Sequence, residues 1–139
     1  MCKLNIILKT VSKQDHKFLY DLLKERNEKI NISHKKMPTF KNHEKFVMSK
    51  PYKKWYIIMN EKEKVGSIYL SKFNEIGIFL KKNIRGQGIG QKSLEMIVEK
   101  NPEKRYLANI NPQNHKSIKF FKNNNFKIIQ YTYELIKNK

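Results

Sequence analysis

Apolar residues return along the chain in two rhythms, one of period two and one of three to four. Leu4 to Leu8 is a short apolar run that reads as a first strand. After Ser12, which is placed to cap a helix, Phe18, Leu19, Leu22 and Leu23 recur at helical spacing and predict an amphipathic helix over 13 to 27. A stretch without period runs from Asn27 to Asn42 and holds His34, Pro38 and Phe40; a short helix follows around Glu44 to Met48. Irregular segments of that length inside a domain are more often functional than idle. Trp55 to Met59 and Val65 to Ser71 read as two strands joined by the charged turn Asn60-Glu61-Lys62-Glu63-Lys64. Ile76 to Leu80 is a fourth strand. Gly90, Leu94, Ile97 and Val98 share one face of the next helix, which Asn101-Pro102 ends. Tyr106 to Ile110 reads as a fifth strand, Asn114 to Asn123 as a helix and Phe126 to Ile136 as a last strand. An antiparallel meander followed by alternating helices and strands predicts an α/β (α+β) fold: a mixed central sheet of about six strands with helices on both faces. With no internal repeat and no linker, residues 1–139 read as one domain.

Composition narrows the class. At 39% hydrophobic and 12% aromatic residues the chain is too apolar for disorder. No apolar run approaches the ~20 residues of a membrane span, and there is no apolar signal core, so the expected location is the cytoplasm and no membrane partner is expected. The single cysteine, Cys2, has no internal partner, and no Cys/His group has zinc spacing, so no metal is expected. Thirty basic residues against 12 acidic ones give a net charge of +18, the footprint of a phosphate binder. Yet 27 of the 30 are Lys and three, Arg26, Arg85 and Arg105, are Arg, whereas base and phosphate recognition favours the guanidinium fork. With 15 Asn and 17 Ile beside them, the lysines read in large part as a compositional bias. Nucleic acid is therefore not the expected partner.

The chemistry-bearing feature is Arg85-Gly86-Gln87-Gly88-Ile89-Gly90, between a predicted strand and a predicted helix. Glycines let several backbone N–H groups converge on one anion, and the helix that follows adds its positive end. No Gly-Lys-Ser/Thr follows, so it is not a P-loop, and G-x-G-x-G within this order of elements is not a dinucleotide fingerprint. Alone, it is either a pyrophosphate cradle or a flexible turn.

A second block, Asn114-x-x-Ser117-x-x-x-Phe121-x-x-x-Asn125-Phe126, supplies context. Together the two resemble the GNAT superfamily of acetyl-CoA-dependent N-acetyltransferases, with Arg85-x-x-Gly88-x-Gly90 matching its pyrophosphate loop; the order of elements fits from Leu4 to Ile136. The resemblance implies acetyl-CoA as co-substrate. It implies that N–H groups from Arg85, Gly86, Gln87, Gly88, Ile89 and Gly90 bind the pyrophosphate, and that the backbone of Ile78, Phe79 and Leu80 pairs with the pantetheine arm. The strand of Tyr106 to Ile110 would splay away to make room, and Asn114 would touch the pantetheine or orient the loop. At the position of Phe121 many members carry a tyrosine that protonates the departing thiolate; Phe121 borders the cofactor but has no hydroxyl. Tyr131 and Tyr133 are candidates for that role or packing residues.

Direct transfer also needs a base for the amine. Glu75, at the start of the fourth strand, matches the position where several members place a glutamate facing the acceptor, and reads either as that base or as a solvated strand-end carboxylate. His34 and His43 are further base candidates or else surface and capping residues. Ribosomal-protein alanine acetyltransferases carry their base where this chain has Asn109, so Asn109 and Phe121 depart from that pattern. Arg26-Asn27, Met37-Pro38 and His43-x-x-Phe46 resemble the acceptor side of bacterial amino-sugar N-acetyltransferases. The expected acceptor is therefore a small-molecule amine such as a nucleotide-linked amino-sugar, whose negative charge a basic cleft would gather. A protein N-terminus or lysine, and a non-catalytic RNA- or ribosome-associated module, are the alternatives; the expected state is monomer or homodimer.

Overall fold

Strands whose residues alternate between two apolar faces form the centre of the molecule. In the computed structural model, which describes residues 4–26, 37–84 and 88–137, β1 (Ile6–Thr10), β2 (Lys54–Asn60), β3 (Glu63–Leu70) and β4 (Ile76–Leu80) lie side by side in that order, each antiparallel to the next. The two faces are clearest on β2. Tyr56 and Ile58 join Ile6, Leu8, Ile68, Leu70 and Ile76 on one face and meet Ile89, Leu94 and Ile97 of helix α3 (Ile89–Lys100). Ile57, with Trp55 and Met59, faces the other way, against Leu19 of α1 (His16–Lys24) and Val47 of α2 (Phe40–Met48). Each such buried aliphatic side chain stabilises the fold by about 1.5–3 kcal/mol. Helices thus cover both faces, as the periodicity predicts.

The chain enters α1 through a single 3-10 turn, Lys13–Asp15. Asp15 is fully buried, and its carboxylate accepts from the Ser12 N–H (2.8 Å) and hydroxyl (3.1 Å) while pairing with Lys64 (2.7 Å) and Lys9 (3.4 Å). Helix α2 begins four residues earlier than the periodicity places it, because the Thr39 hydroxyl oxygen accepts the Asn42 N–H as an N-cap. Helix α4 (His115–Asn123) starts at Asn114, whose Oδ1 accepts from the Ser117 N–H. It closes at Asn125, which has φ +70°, with the Asn125 N–H bonded to Lys122 O and the Phe126 N–H to Phe121 O.

The sheet departs from expectation at the C-terminal end. Among the described residues it is four-stranded and antiparallel, whereas the sequence pattern predicts a mixed sheet of about six strands. Residues 106–110 touch β4 through one parallel bridge, Glu75 to Leu107, and residues 127–136 form no ladder. Both segments have strand-forming side chains, but a strand exists only where a second edge accepts its backbone groups. Among the described residues no helix is long and apolar enough to cross a membrane, and no cluster of His, Cys, Asp and Glu could hold a metal.

Candidate active site

Strand β4 borders a pocket on one face and has one open edge. Its inner edge is laddered to β3. On its outer edge the Ile76 N–H bonds to Leu107 O (2.7 Å) and the Leu107 N–H to Asn74 O (2.8 Å), and beyond that bridge no strand among the described residues pairs with β4. Backbone groups alternate in direction along a strand, so Ile78 and Leu80 present theirs to the same side as Ile76. Residues 106–110 and β4 therefore part at the Glu75–Leu107 bridge, and among the described residues the backbone edge of Ile78 and Leu80 beyond it pairs with no strand; this open edge is the groove.

At this end of β4 helix α3 begins. Gly88, the N-cap, has φ +80°, a left-handed conformation that costs a residue with Cβ about 1–2 kcal/mol. The Lys92 N–H reaches Gly88 O, so the N–H groups of Ile89, Gly90 and Gln91 precede any helical carbonyl that could take them. The first turn holds no acidic residue. A ligand bearing a pyrophosphate and an amide-containing arm fits this arrangement: the anion meets the positive end of a 12-residue helix, and the arm meets the open edge at Ile78 and Leu80. The Ile89 side chain is turned into the core. A Cβ on Gly90 would lie 3.4 Å from the Phe120 ring and 3.7 Å from Leu80, ordinary contact distances.

The face of β4 opposite Ile76 carries the pocket. Here Leu19, Leu22, Arg26, His43, Trp55 and Phe79 are among the walls of a pocket whose enclosed space is about 50 Å3. The Arg26 guanidinium lies over the Phe79 ring, 3.8 Å from its centre. Burial pulls the Arg26 pKa down, and the neighbouring Tyr69 and Tyr52 oppose that pull. Tyr52 and Tyr69 stack face to face at 3.8 Å with a 4° interplanar angle. A Cβ at Gly77 would run into the Tyr69 ring, so only glycine lets that ring lie flat across β4. Burial raises both tyrosine pKa values; for Tyr52 the interaction with Tyr69 adds to it, while for Tyr69 the Arg26 charge opposes it and Glu75 reinforces it. Both hydroxyls stay protonated at neutral pH and act as donors or acceptors beside the arginine.

Glu75 immediately precedes β4. Its carboxylate accepts from the Ser71 hydroxyl (2.9 Å) and from Asn109 Nδ2 (2.6 Å), so it spans the hairpin and the diverging segment at the point where they part. His43 is buried in the pocket wall against Tyr20 (5.6 Å) and Phe46 (6.2 Å). Of the cofactor-side residues, Gly88, Ile89, Gly90, Ile78 and Leu80 gather at the groove, whereas Phe79 points to the pocket. The Asn114 carboxamide oxygen is taken up by capping α4. Phe121 is buried edge-on between Phe120 (5.1 Å) and Phe126 (5.0 Å), and it is Phe120 that touches the glycine region. Tyr131 and Tyr133 are exposed and do not reach the site. Arg85, Gly86, Gln87 and His34 lie outside the described residues. Tyr52 and Tyr69 escape a reading of the sequence: Tyr69 alternates correctly with Ser67 on β3, but Tyr52 sits in a connection with no period to place it.

The family model described as acetyltransferase (GNAT) family matches residues 16–126. A domain from Methanocaldococcus jannaschii is 25% identical, with 95% of this chain and 94% of that one covered and a TM-score of 0.82. An acetyltransferase from Thermus thermophilus is 17% identical over 94% of this chain and 92% of its own, at a TM-score of 0.73. A ribosomal alpha-N-protein acetyltransferase solved in complex with coenzyme A is 17% identical over 92% and 83%, at a TM-score of 0.71. No curated protein sequence matches. A family match over most of the chain, on a fold that opens a groove at the glycine-led start of α3, makes this protein a member of the GNAT acetyltransferase family, an acyltransferase that uses acetyl-CoA to acetylate an amine.

Proposed function

We propose that the acceptor is a small primary amine carrying negative charge, a nucleotide-linked amino-sugar being the preferred case, and that the whole transfer runs across β4. The observation that carries this reading is Arg26 stacked on Phe79 in a pocket otherwise walled by apolar and aromatic side chains. A guanidinium held there can pair with an anion on the acceptor, and flat aromatic walls suit the apolar face of a sugar or base. The net charge of +18 adds long-range attraction for such a substrate.

In this reading the N–H groups of Ile89 and Gly90, with the loop of Arg85 to Gly88, hold the pyrophosphate, and the backbone of Ile78 and Leu80 aligns the pantetheine arm. Bound acetyl-CoA supplies an activated acetyl thioester. Glu75 accepts the amine proton, directly or through a water, while Ser71 and Asn109 fix its carboxylate; His43, in the pocket wall, is the second candidate base. Asn114 keeps α4 in place below the groove. Phe121 has no proton to give, so this chain does not use a tyrosine at that position for the thiolate, whose ordinary pKa of about 8.5 makes departure as the anion tolerable.

A thiol-release screen with acetyl-CoA against amino-sugar nucleotides, polyamines, amino acids, aminoglycosides and peptides tests the reading. Turnover is expected on anionic amino-sugars. Turnover on peptides alone would place the acceptor among proteins, and steeply salt-dependent RNA binding without thiol release on any amine would replace catalysis with a binding role.

A further inference from the structure

Tyr69 of β3 stands opposite Gly77 of β4, with Trp55 of β2 paired to it on the other side. A tyrosine side chain is longer than the ~5.5 Å between the Cα atoms of two paired residues, so a ring laid across the next strand carries its hydroxyl onto that strand. The Tyr69 ring lies in this way. A Cβ on Gly77 would fall on Cε2, Cζ and the hydroxyl oxygen of Tyr69, which puts the phenol end directly above the Gly77 backbone. Tyr52 stacks on the ring at 3.8 Å and 4°, and Phe79 borders it at 6.2 Å. Clamped between a glycine and a second aromatic, the hydroxyl has a fixed place.

That place is where the open edge of β4 ends. Leu80 lies beside Gly90 at the start of α3, whereas the Ile76 N–H is already taken by Leu107 O (2.7 Å). A ligand with its pyrophosphate at α3 and its arm along Leu80 and then Ile78 therefore brings its far end, the thioester, beside Gly77. Glu75 lies two residues before Gly77, on the same face by strand alternation, with its carboxylate held by Ser71 and Asn109. A fixed carboxylate and a fixed hydroxyl thus flank one short stretch of the edge.

We propose that the Tyr69 hydroxyl is a catalytic group of the transfer, donating a hydrogen bond to the thioester carbonyl oxygen and holding the negative charge that collects there as the amine attacks. The inference rests on the course of the arm along Ile78 and Leu80 proposed above. As the nitrogen–carbon bond forms, the carbonyl electron pair moves onto oxygen and the amine proton goes to Glu75. When that pair returns, the carbon–sulfur bond breaks and sulfur leaves with its electrons. Tyr69 keeps its proton throughout: burial raises its pKa, so at neutral pH the hydroxyl is a donor and not a base. A donor set in place where charge develops needs no reorganisation during the reaction. This role differs from that of the hydroxyl absent from Phe121, which would act on the sulfur.

Tyr69→Phe removes one oxygen and keeps the ring, its stack on Tyr52 and its seat on Gly77. Acetyl-CoA labelled at the carbonyl carbon and bound to the full chain without acceptor supplies the first readout. Its carbonyl infrared band should lie at lower frequency in the wild type than in the variant. The second readout uses the amine on which the wild type turns over fastest. There kcat should fall roughly 100- to 1,000-fold in the variant, while KM for both substrates changes less than about three-fold and the melting temperature holds. A purely structural role would move stability or KM and leave the band in place. Identical bands with acetyl-CoA bound to both proteins, or an unchanged kcat, would overturn the assignment of Tyr69 alone. Failure of acetyl-CoA to bind either protein, read by calorimetry, would overturn the course of the arm along β4 and this inference with it.

Discussion

The guanidinium of Arg26, at the end of the first helix, lies 3.8 Å from the centre of the Phe79 ring on the fourth strand. Some fifty residues of sequence separate them, and their contact closes one wall of the pocket that we propose receives the acceptor. A cation over a ring in a partly desolvated site is worth about 0.5–2 kcal/mol. Phe79→Leu keeps the apolar bulk and loses the ring face, so KM for the acceptor should rise roughly 3- to 30-fold. Arg26→Gln should raise it further, while acetyl-CoA affinity, read by calorimetry, stays put. Equal losses for both substrates would place Arg26 in the scaffold instead.

Gly88 and Gly90 should separate fold from binding. With φ at +80°, Gly88→Ala forces a strained cap and should lower stability by about 1–2 kcal/mol together with acetyl-CoA affinity. A Cβ on Gly90 meets Phe120 at an ordinary 3.4 Å inside a helix, where alanine is the better helix former by up to about 1 kcal/mol. Gly90→Ala should therefore keep or raise the melting temperature and still weaken acetyl-CoA binding by crowding the pyrophosphate approach. Unchanged affinity in both variants would remove the start of α3 from the cofactor site.

Much of this was legible in the sequence, and the parts that were not share a cause. Alternation placed β1 to β4 to within a few residues, and the helical spacing of Leu94 and Ile97 and the cap at Asn114 placed α3 and α4, because each of these signals is local. Tyr52 and Tyr69 meet only because the hairpin register brings them together and Gly77 leaves room, information that no local window holds. Residues 106–110 and 127–136 failed in the opposite sense. Their side chains favour a strand, but propensity does not say whether an edge stands ready to pair.

Glu75 allows a rate to be separated from a structural tie. Glu75→Gln retains an amide able to bond Ser71 and Asn109 but cannot take a proton, so kcat should fall roughly 100- to 10,000-fold with the melting temperature little changed. Wild-type rates in that variant across about pH 6 to 9 would exclude Glu75 as the base and leave His43 to be tested by His43→Gln.

Asp15 should govern acid stability. Burial alone would raise its pKa, but the hydrogen bond and charge of Lys64 and the bonds from Ser12 outweigh burial and hold the carboxyl below its ordinary value. A carboxyl whose folded pKa lies below the unfolded value of about 3.9 contributes stability that is fully present above that pH and fades as pH falls through the folded value. Asp15→Asn should therefore flatten the loss of melting temperature below about pH 4. Asp15→Ala, which leaves Ser12 and Lys64 uncompensated, should cost about 3 kcal/mol at neutral pH.

The most direct test is a titration of a nucleotide-linked amino-sugar at saturating acetyl-CoA, with free thiol and acetylated acceptor followed together in wild type and Arg26→Gln. One free thiol per acetylated amine is expected, saturating with acceptor in the wild type and at a higher concentration in the variant. Thiol release that ignores the acceptor, or acetylation confined to peptides, would contradict transfer to a small anionic amine across β4.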